Sequence, residues 1–150
     1  MLLCLVFAVG AKPAIKSQWR GVRVAYLGDS ITDRRQVEKG QNDTYWLYLE
    51  ELLGTESFVY GISGHQWKHI PGQTDKLLAE HGQQVDVIMI FVGTNDFNAS
   101  VPLGEWYSEA EVKVEVSGPK GSKSGVMAER KMRTILMDNT TVRGRINIAL

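Results

Sequence analysis

Three short apolar segments alternate with helical segments along the first hundred residues, and this order limits the possible folds more than any other feature. The strand-like segments are residues 22–27, 57–60 and 85–92, and the segments with helical spacing are residues 44–53 and 71–81. Strands separated by helices are typical of a parallel sheet with helices on its faces. The continuous apolar run at 85–92 further predicts a strand buried on both faces. We therefore expect an α/β fold.

Length and composition restrict the class of protein. The 150 residues match one average domain, and 17 Lys and Arg balance 17 Asp and Glu, so the net charge is zero. Without a domain-wide basic field, nucleic acid is not an expected partner. The single cysteine excludes an intrachain disulfide and a multi-cysteine metal site. The longest apolar run, residues 2–10, is too short to span a bilayer. These features indicate a soluble globular domain.

The first residues have features of a secretory signal. An apolar stretch ends in Val9, Gly10 and Ala11, small residues of the kind found at a signal cleavage site, and Lys12-Pro13 follows. No Lys or Arg precedes the stretch, and the alternative is a buried segment of the domain itself. We expect residues 1–11 to be the remnant of a signal peptide, residues 20–150 to form the domain, and the protein to be secreted or periplasmic. Cleavage would remove Cys4.

The last third of the chain is less regular. Residues 112–116 alternate as an exposed strand does, and residues 105–111 are compatible with a helix. The composition of residues 117–125 predicts a flexible loop. We expect a helix at 128–137 and the start of another at 145–150.

Each of the three predicted strands ends in a glycine followed by small polar residues, at 28–30, 61–64 and 93–96. Ligands of open parallel sheets bind beyond the carboxyl ends of the strands, so these clusters should share one site. Ser30 offers a hydroxyl, Gly64 a backbone donor and Asn95 an amide donor. A hydroxyl nucleophile beside neutral donors suits acyl transfer, because the donors stabilise the oxyanion of the tetrahedral intermediate.

The three clusters, Gly28-Asp29-Ser30-Ile31-Thr32, Gly61-Ile62-Ser63-Gly64 and Gly93-Thr94-Asn95-Asp96, resemble the first three sequence blocks of the SGNH (GDSL-type) hydrolases. The resemblance covers about residues 20–100. It implies a flavodoxin-like three-layer α/β/α fold with a parallel sheet. It also implies Ser30 as the nucleophile, Gly64 and Asn95 as oxyanion donors, and no cofactor or metal.

The family's fourth block, an Asp-x-x-His motif near the C-terminus, has no counterpart in this chain. Three residues before His65, His69 and His81 stand Ile62, Gln66 and Leu78. The chain also ends at Leu150, before a fourth or fifth strand of the sheet. We therefore expect the domain to be C-terminally incomplete and, lacking the base, to have negligible esterase activity alone.

Several residues near the three clusters are candidates for binding substrate. Asp29 and Asp96 adjoin the proposed catalytic residues, although either also suits a hydrogen-bonding role inside its loop. His65 follows Gly64 and is open to three interpretations, as a catalytic residue, a metal ligand with His69, or an ordinary loop histidine. Trp67 could stack on a sugar ring or pack into the protein, as most aromatic rings do.

The function expected from this resemblance is hydrolysis of a carboxylic ester, such as an acetyl ester of a carbohydrate. The partner would be a small-molecule or glycan ester, and the oligomeric state is left open. A non-catalytic carbohydrate-binding domain would use the same cleft and stays an alternative. A nucleotide-binding flavodoxin-like domain is less favoured, because neither a Gly-x-Gly-x-x-Gly nor a Walker pattern is present.

Overall fold

The computed structural model describes residues 17–40 and 43–150. The predicted signal peptide and Cys4 lie outside the described residues. The central sheet has three parallel strands in the order β2-β1-β3. Their bounds are β1 (Arg23–Gly28), β2 (Glu56–Val59) and β3 (Val87–Phe91). The three predicted strands are thus confirmed, each with slightly different ends.

The described residues form five α-helices, namely α1 (Arg35–Glu38), α2 (Tyr45–Leu53), α3 (Ile70–His81), α4 (Thr94–Asn98) and α5 (Val142–Ala149), and two short 3₁₀ helices at Trp67–His69 and Pro119–Gly121. The two predicted helices correspond to α2 and α3. α2 ends at Leu53 because the next residue, Gly54, has a φ of 71°, the left-handed conformation that glycine adopts without strain. No helix in the described part of the chain is both long and apolar enough to cross a membrane.

β1 lies in the centre of the sheet and is buried on both faces. Val24 and Tyr26 pack with Trp46 of α2, whereas the intervening residues Ala25 and Leu27 pack on the other face, which α3 covers. This alternation follows from the two-residue period of side chains along a strand. Helices on both faces of a parallel sheet give the three-layer α/β arrangement of the flavodoxin-like fold, as expected.

The prediction that the third strand is buried on both faces is wrong. Ile88 and Phe91 of β3 are 51% and 52% exposed, and Met89 is also exposed. β3 pairs with β1 on one side, and no strand of the described residues pairs with its other side. Val87 and Ile90 are partly buried against the core, so the apolar composition of this segment corresponds to burial only in part.

The last third contains a long antiparallel hairpin, formed by β4 (Tyr107–Ser117) and β5 (Lys123–Ile135). The strand predicted at 112–116 lies within β4, but the helix predicted at 128–137 is wrong because this segment pairs with β4. The helical alternative at 105–111 is also wrong from Tyr107 onward. The predicted loop is shorter, since both strands extend into it. The predicted final helix is α5, which begins earlier, at Val142, where the Thr141 Oγ1 accepts a hydrogen bond from the Gly144 amide at 3.0 Å.

Candidate active site

The first loop leaves β1 at Gly28, where the chain passes very close to β3. A Cβ at this position would collide with the carbonyl oxygen of Phe91 and the hydroxyl of Thr32, so only glycine fits. Asp29 is 1% exposed, and its Oδ1 accepts a hydrogen bond from the Ile31 amide at 3.1 Å. This bond braces the turn and leaves Ser30 half-buried at the surface.

Ser30 lines a cavity of about 400 Å³ together with residues such as Thr44 and Tyr45 at the start of α2. Neither the Ser30 hydroxyl nor its backbone amide has a hydrogen-bond partner among the described residues. The nucleophile candidate is therefore accessible, and both of its polar groups remain available to a ligand.

The second loop, residues 61–64, is fastened to the first by two hydrogen bonds. The Ile62 amide donates to the Gly28 carbonyl at 3.1 Å, and the Ser63 amide donates to Asp33 Oδ2 at 2.8 Å. Gly64 follows with φ of 85°, a conformation that strains other residues. Its amide donates to no partner among residues 17–40 and 43–150. The Gly64 amide is therefore unoccupied in the described residues, and its role as an oxyanion donor stays a prediction.

Asp33 is the acidic group that joins the first two loops. It is 2% exposed and forms an ion pair with Arg35, in which Oδ2 lies 2.6 Å from the guanidinium. The hydrogen bonds from Arg35 and from the Ser63 amide lower the pKa of Asp33 to about 2. The carboxylate is therefore charged at neutral pH, and its binding capacity is committed to the loops themselves.

The third loop, residues 93–96, includes the first turn of α4 and is fastened to the second loop through Asn95. One N–H of the Asn95 side-chain amide donates to the His65 backbone carbonyl at 2.8 Å. The Asn95 backbone carbonyl accepts from Gln66 Nε2 at 2.9 Å. A carboxamide has two N–H donors, so this contact fixes the orientation of Asn95 and leaves its second donor available. The structure thus brings Asn95 into direct contact with the residue that follows Gly64.

Asp96 is fully buried behind this loop. Its Oδ2 accepts from the Trp67 amide at 3.0 Å, and its Oδ1 lies 2.7 Å from Arg145 Nη1 in a buried ion pair. Asp29 is equally buried. Substrate binding by these two carboxylates stays a prediction, and their surroundings suit a bracing role. Trp67 is half-buried and packs against the core, which suits the ring-packing interpretation.

His65 is held in place by Gln73, a contact that its sequence context does not reveal. The side-chain amide of Gln73 binds both polar groups of the Gly28 backbone. Its oxygen accepts from the Gly28 N–H at 2.8 Å, and its nitrogen donates to the Gly28 carbonyl at 2.8 Å. This pairing shows that the Gln73 atom 2.8 Å from His65 Nδ1 is its nitrogen, Nε2, which can only donate. His65 Nδ1 is therefore the acceptor, and the proton of the His65 ring lies on its own Nε2. Burial, followed by the neighbouring His69, lowers the pKa of His65 and keeps the ring neutral.

The interpretation of His65 and His69 as metal ligands gains no support. Their rings stack with centroids 4.4 Å apart. In the part of the chain that the structure describes, no three His, Cys, Asp or Glu side chains cluster as a metal site requires.

Sequence reasoning missed the residues that hold the loops together, namely Gln66, Gln73 and Arg145. Gln73 shares the buried face of α3 with Ile70 and Leu77, and a polar residue at such a position is a signal that something polar lies opposite. Arg145 is 49 residues from Asp96, and no local pattern connects them.

Comparison with known proteins agrees with this geometry. No curated protein matches the chain. The model of the GDSL-like lipase/acylhydrolase family matches residues 26–139, which include all three loops. The chain therefore belongs to the GDSL-like lipase/acylhydrolase family, whose members are hydrolases of ester bonds.

Proposed function

We propose that the protein hydrolyses a carboxylic ester through Ser30, with the Ser30 and Gly64 amides and the Asn95 side chain stabilising the oxyanion. The observation that carries this proposal is that each of these three groups has an N–H donor without a partner among the described residues. The Ser30 and Gly64 amides have no partner among the described residues, while the His65 carbonyl orients Asn95 and leaves one of its donors free. Oriented neutral donors lower the barrier to acyl transfer by several kcal/mol, about 3 for each donor.

The reaction would follow the general serine mechanism. The Ser30 oxygen attacks the ester carbonyl carbon, its proton passes to a base, and the carbonyl oxygen becomes the oxyanion. The alcohol then leaves with that proton, and water hydrolyses the acyl-enzyme. The acid released can be small, such as acetate from a carbohydrate ester.

His65 does not suit the role of base. A neutral imidazole accepts a proton only at its unprotonated nitrogen, and in His65 this nitrogen is Nδ1, which already accepts a hydrogen bond from Gln73. We propose instead that the base belongs to an Asp-x-x-His block in residues that follow Leu150 in the intact gene product. The 150 residues alone would then turn over an ester very slowly, since loss of the triad histidine costs about 10⁶-fold in a serine protease.

The test compares hydrolysis of 4-nitrophenyl acetate by the intact gene product, by its Ser30→Ala variant and by the 150-residue chain. We expect Ser30→Ala to lower kcat by on the order of 10⁶-fold, because the nucleophile is lost. The 150-residue chain should be similarly slow.

Ser63→Ala is the matched control, because Ser63 lies in the second loop and uses its backbone amide, not its hydroxyl, to bind Asp33. It should retain the rate of the unmodified protein. Retained activity in Ser30→Ala would overturn the assignment of the nucleophile. A 150-residue chain as fast as the intact product would overturn the proposal that the base lies beyond Leu150.

A further inference from the structure

A second, larger cavity of about 600 Å³ lies beside the candidate active site. Its wall includes the end of β2 and the second loop, at Gly61, Ile62 and His65, and the first loop, at Asp33. The proposed hydrolysis uses none of its charged side chains. The cavity shares no lining residue with the cavity of Ser30, but it reaches His65, whose carbonyl binds the Asn95 side chain. A ligand held there would therefore lie near the proposed oxyanion donors.

The charged side chains that line this cavity are mostly cationic. Two are carboxylates, Asp33 and Glu38, and four are cations, Arg34, Arg35, Lys68 and Lys76. The whole chain has a net charge of zero, so this excess is a local feature and not part of a basic protein surface.

Two of the cations have carboxylate partners and two do not. Arg35 is paired with Asp33, and Lys76 lies 3.8 Å from Glu80. Arg34 and Lys68 form no ion pair with any residue in the described ranges. Asp33 is already neutralised by Arg35, whereas Glu38 forms no ion pair in the described ranges and offsets one of the two charges, so these unpaired groups keep a net positive charge. The two unpaired cations are therefore available to an anion.

Two histidines add neutral donors to the same wall. His65 Nδ1 accepts from the side-chain amide of Gln73, and His69 Nδ1 accepts from the backbone N–H of Gln66 at 2.9 Å. In a neutral imidazole whose Nδ1 accepts, the proton lies on Nε2, so each ring keeps one N–H donor. Cations combined with N–H donors are the groups that bind carboxylates and similar anions.

We propose that this cavity binds an anionic group, a carboxylate, carried by the ester substrate next to the bond that is cleaved. The inference rests on the proposed function, which it narrows from esters in general to acidic esters. Arg34 and Lys68 supply the charge, and His65 and His69 supply the donors.

The kinetic test uses two esters of similar length, 4-nitrophenyl hydrogen glutarate and 4-nitrophenyl pentanoate. The acyl chain of the first ends in a carboxylate, and that of the second ends in a methyl group. In the intact gene product, Arg34→Gln/Lys68→Gln should lower kcat/KM for the anionic ester about tenfold more than for the neutral ester, as expected for loss of charge-assisted hydrogen bonds. Lys120→Gln/Lys123→Gln is the control, because it removes two cations from the hairpin turn, outside the cavity. If the ratio of kcat/KM for the anionic ester to kcat/KM for the neutral ester were unchanged in Arg34→Gln/Lys68→Gln, the proposal would be overturned.

A binding test separates this inference from the proposed function. The intact gene product with Ser30→Ala is titrated with monomethyl glutarate and followed by amide NMR. Binding should be lost in Arg34→Gln/Lys68→Gln and kept in Lys120→Gln/Lys123→Gln. If the intact gene product hydrolysed no ester but the variants showed this binding pattern, the proposed esterase activity would be refuted and the anion site would be retained. Equal binding by both double variants would refute the anion site.

Discussion

A single buried amide shows how individual residues build this site. Gln73 is 4% exposed, and its carboxamide bonds to both polar groups of the Gly28 peptide and to the ring of His65. Gly28 directly precedes Asp29 and Ser30, so a residue of α3 fixes the position of the first loop. The sequence predicts Ser30, Gly64 and Asn95 because they belong to local patterns. It does not predict Gln73, whose partner is 45 residues away.

Gly28 tests the close approach of β1 and β3. Gly28→Ala should lower the free energy of unfolding by about 1–3 kcal/mol, because the new methyl group would overlap the Phe91 carbonyl, which belongs to the backbone and cannot rotate away. Gly72→Ala is the matched control, since a Cβ there meets nothing within 4 Å and alanine favours the helix by up to about 1 kcal/mol. Urea denaturation measures both. Equal stabilities of the two variants would contradict the packing described for Gly28.

The elements that the sequence predicts best are those whose pattern is local. α2 and α3 have periodic apolar residues and end at Gly54 and Gly82, as expected. β5 was harder to predict, because its residues favour a helix and only pairing with β4, such as Val114 opposite Ala128, makes the strand. β3 misleads for a related reason. Its composition suits burial on both faces, but burial depends on the neighbouring elements and not on the strand itself.

α5 is fastened to the third loop by the buried pair of Arg145 and Asp96. Arg145→Met should lower the free energy of unfolding by about 3–5 kcal/mol, because it leaves the Asp96 carboxylate buried without a counter-charge. Equilibrium denaturation by urea measures the loss. Adding Asp96→Asn, which removes the charge, should restore part of it.

The control for this element is Lys131→Met in the hairpin. Lys131 lies 3.8 Å from Glu109 and is 70% exposed, so its loss should cost less than about 1 kcal/mol. If Arg145→Met were no more costly than Lys131→Met, the pair would not hold α5 to the loop.

At the scale of the whole molecule, the candidate site depends on three parallel strands that end at the same edge of one sheet. The sequence predicts from the order of strands and helices that the three loops meet, and hydrogen bonds do join them, whereas one site shared by Ser30, Gly64 and Asn95 stays a prediction. The cationic cavity could not be predicted in the same way. Arg34 caps the start of α1 and Lys68 lies in a short 3₁₀ helix that precedes α3, and only the fold places them around one space.

The most direct test of this account is an experimental structure of the intact gene product after reaction with a fluorophosphonate. We expect phosphorus bonded to the Ser30 oxygen, with the phosphoryl oxygen about 2.7–3.1 Å from the Gly64 amide and from the Asn95 side-chain nitrogen, because that oxygen occupies the place of the oxyanion. A phosphoryl oxygen distant from both donors, or a label on another side chain, would contradict the convergence of the three loops on one catalytic serine.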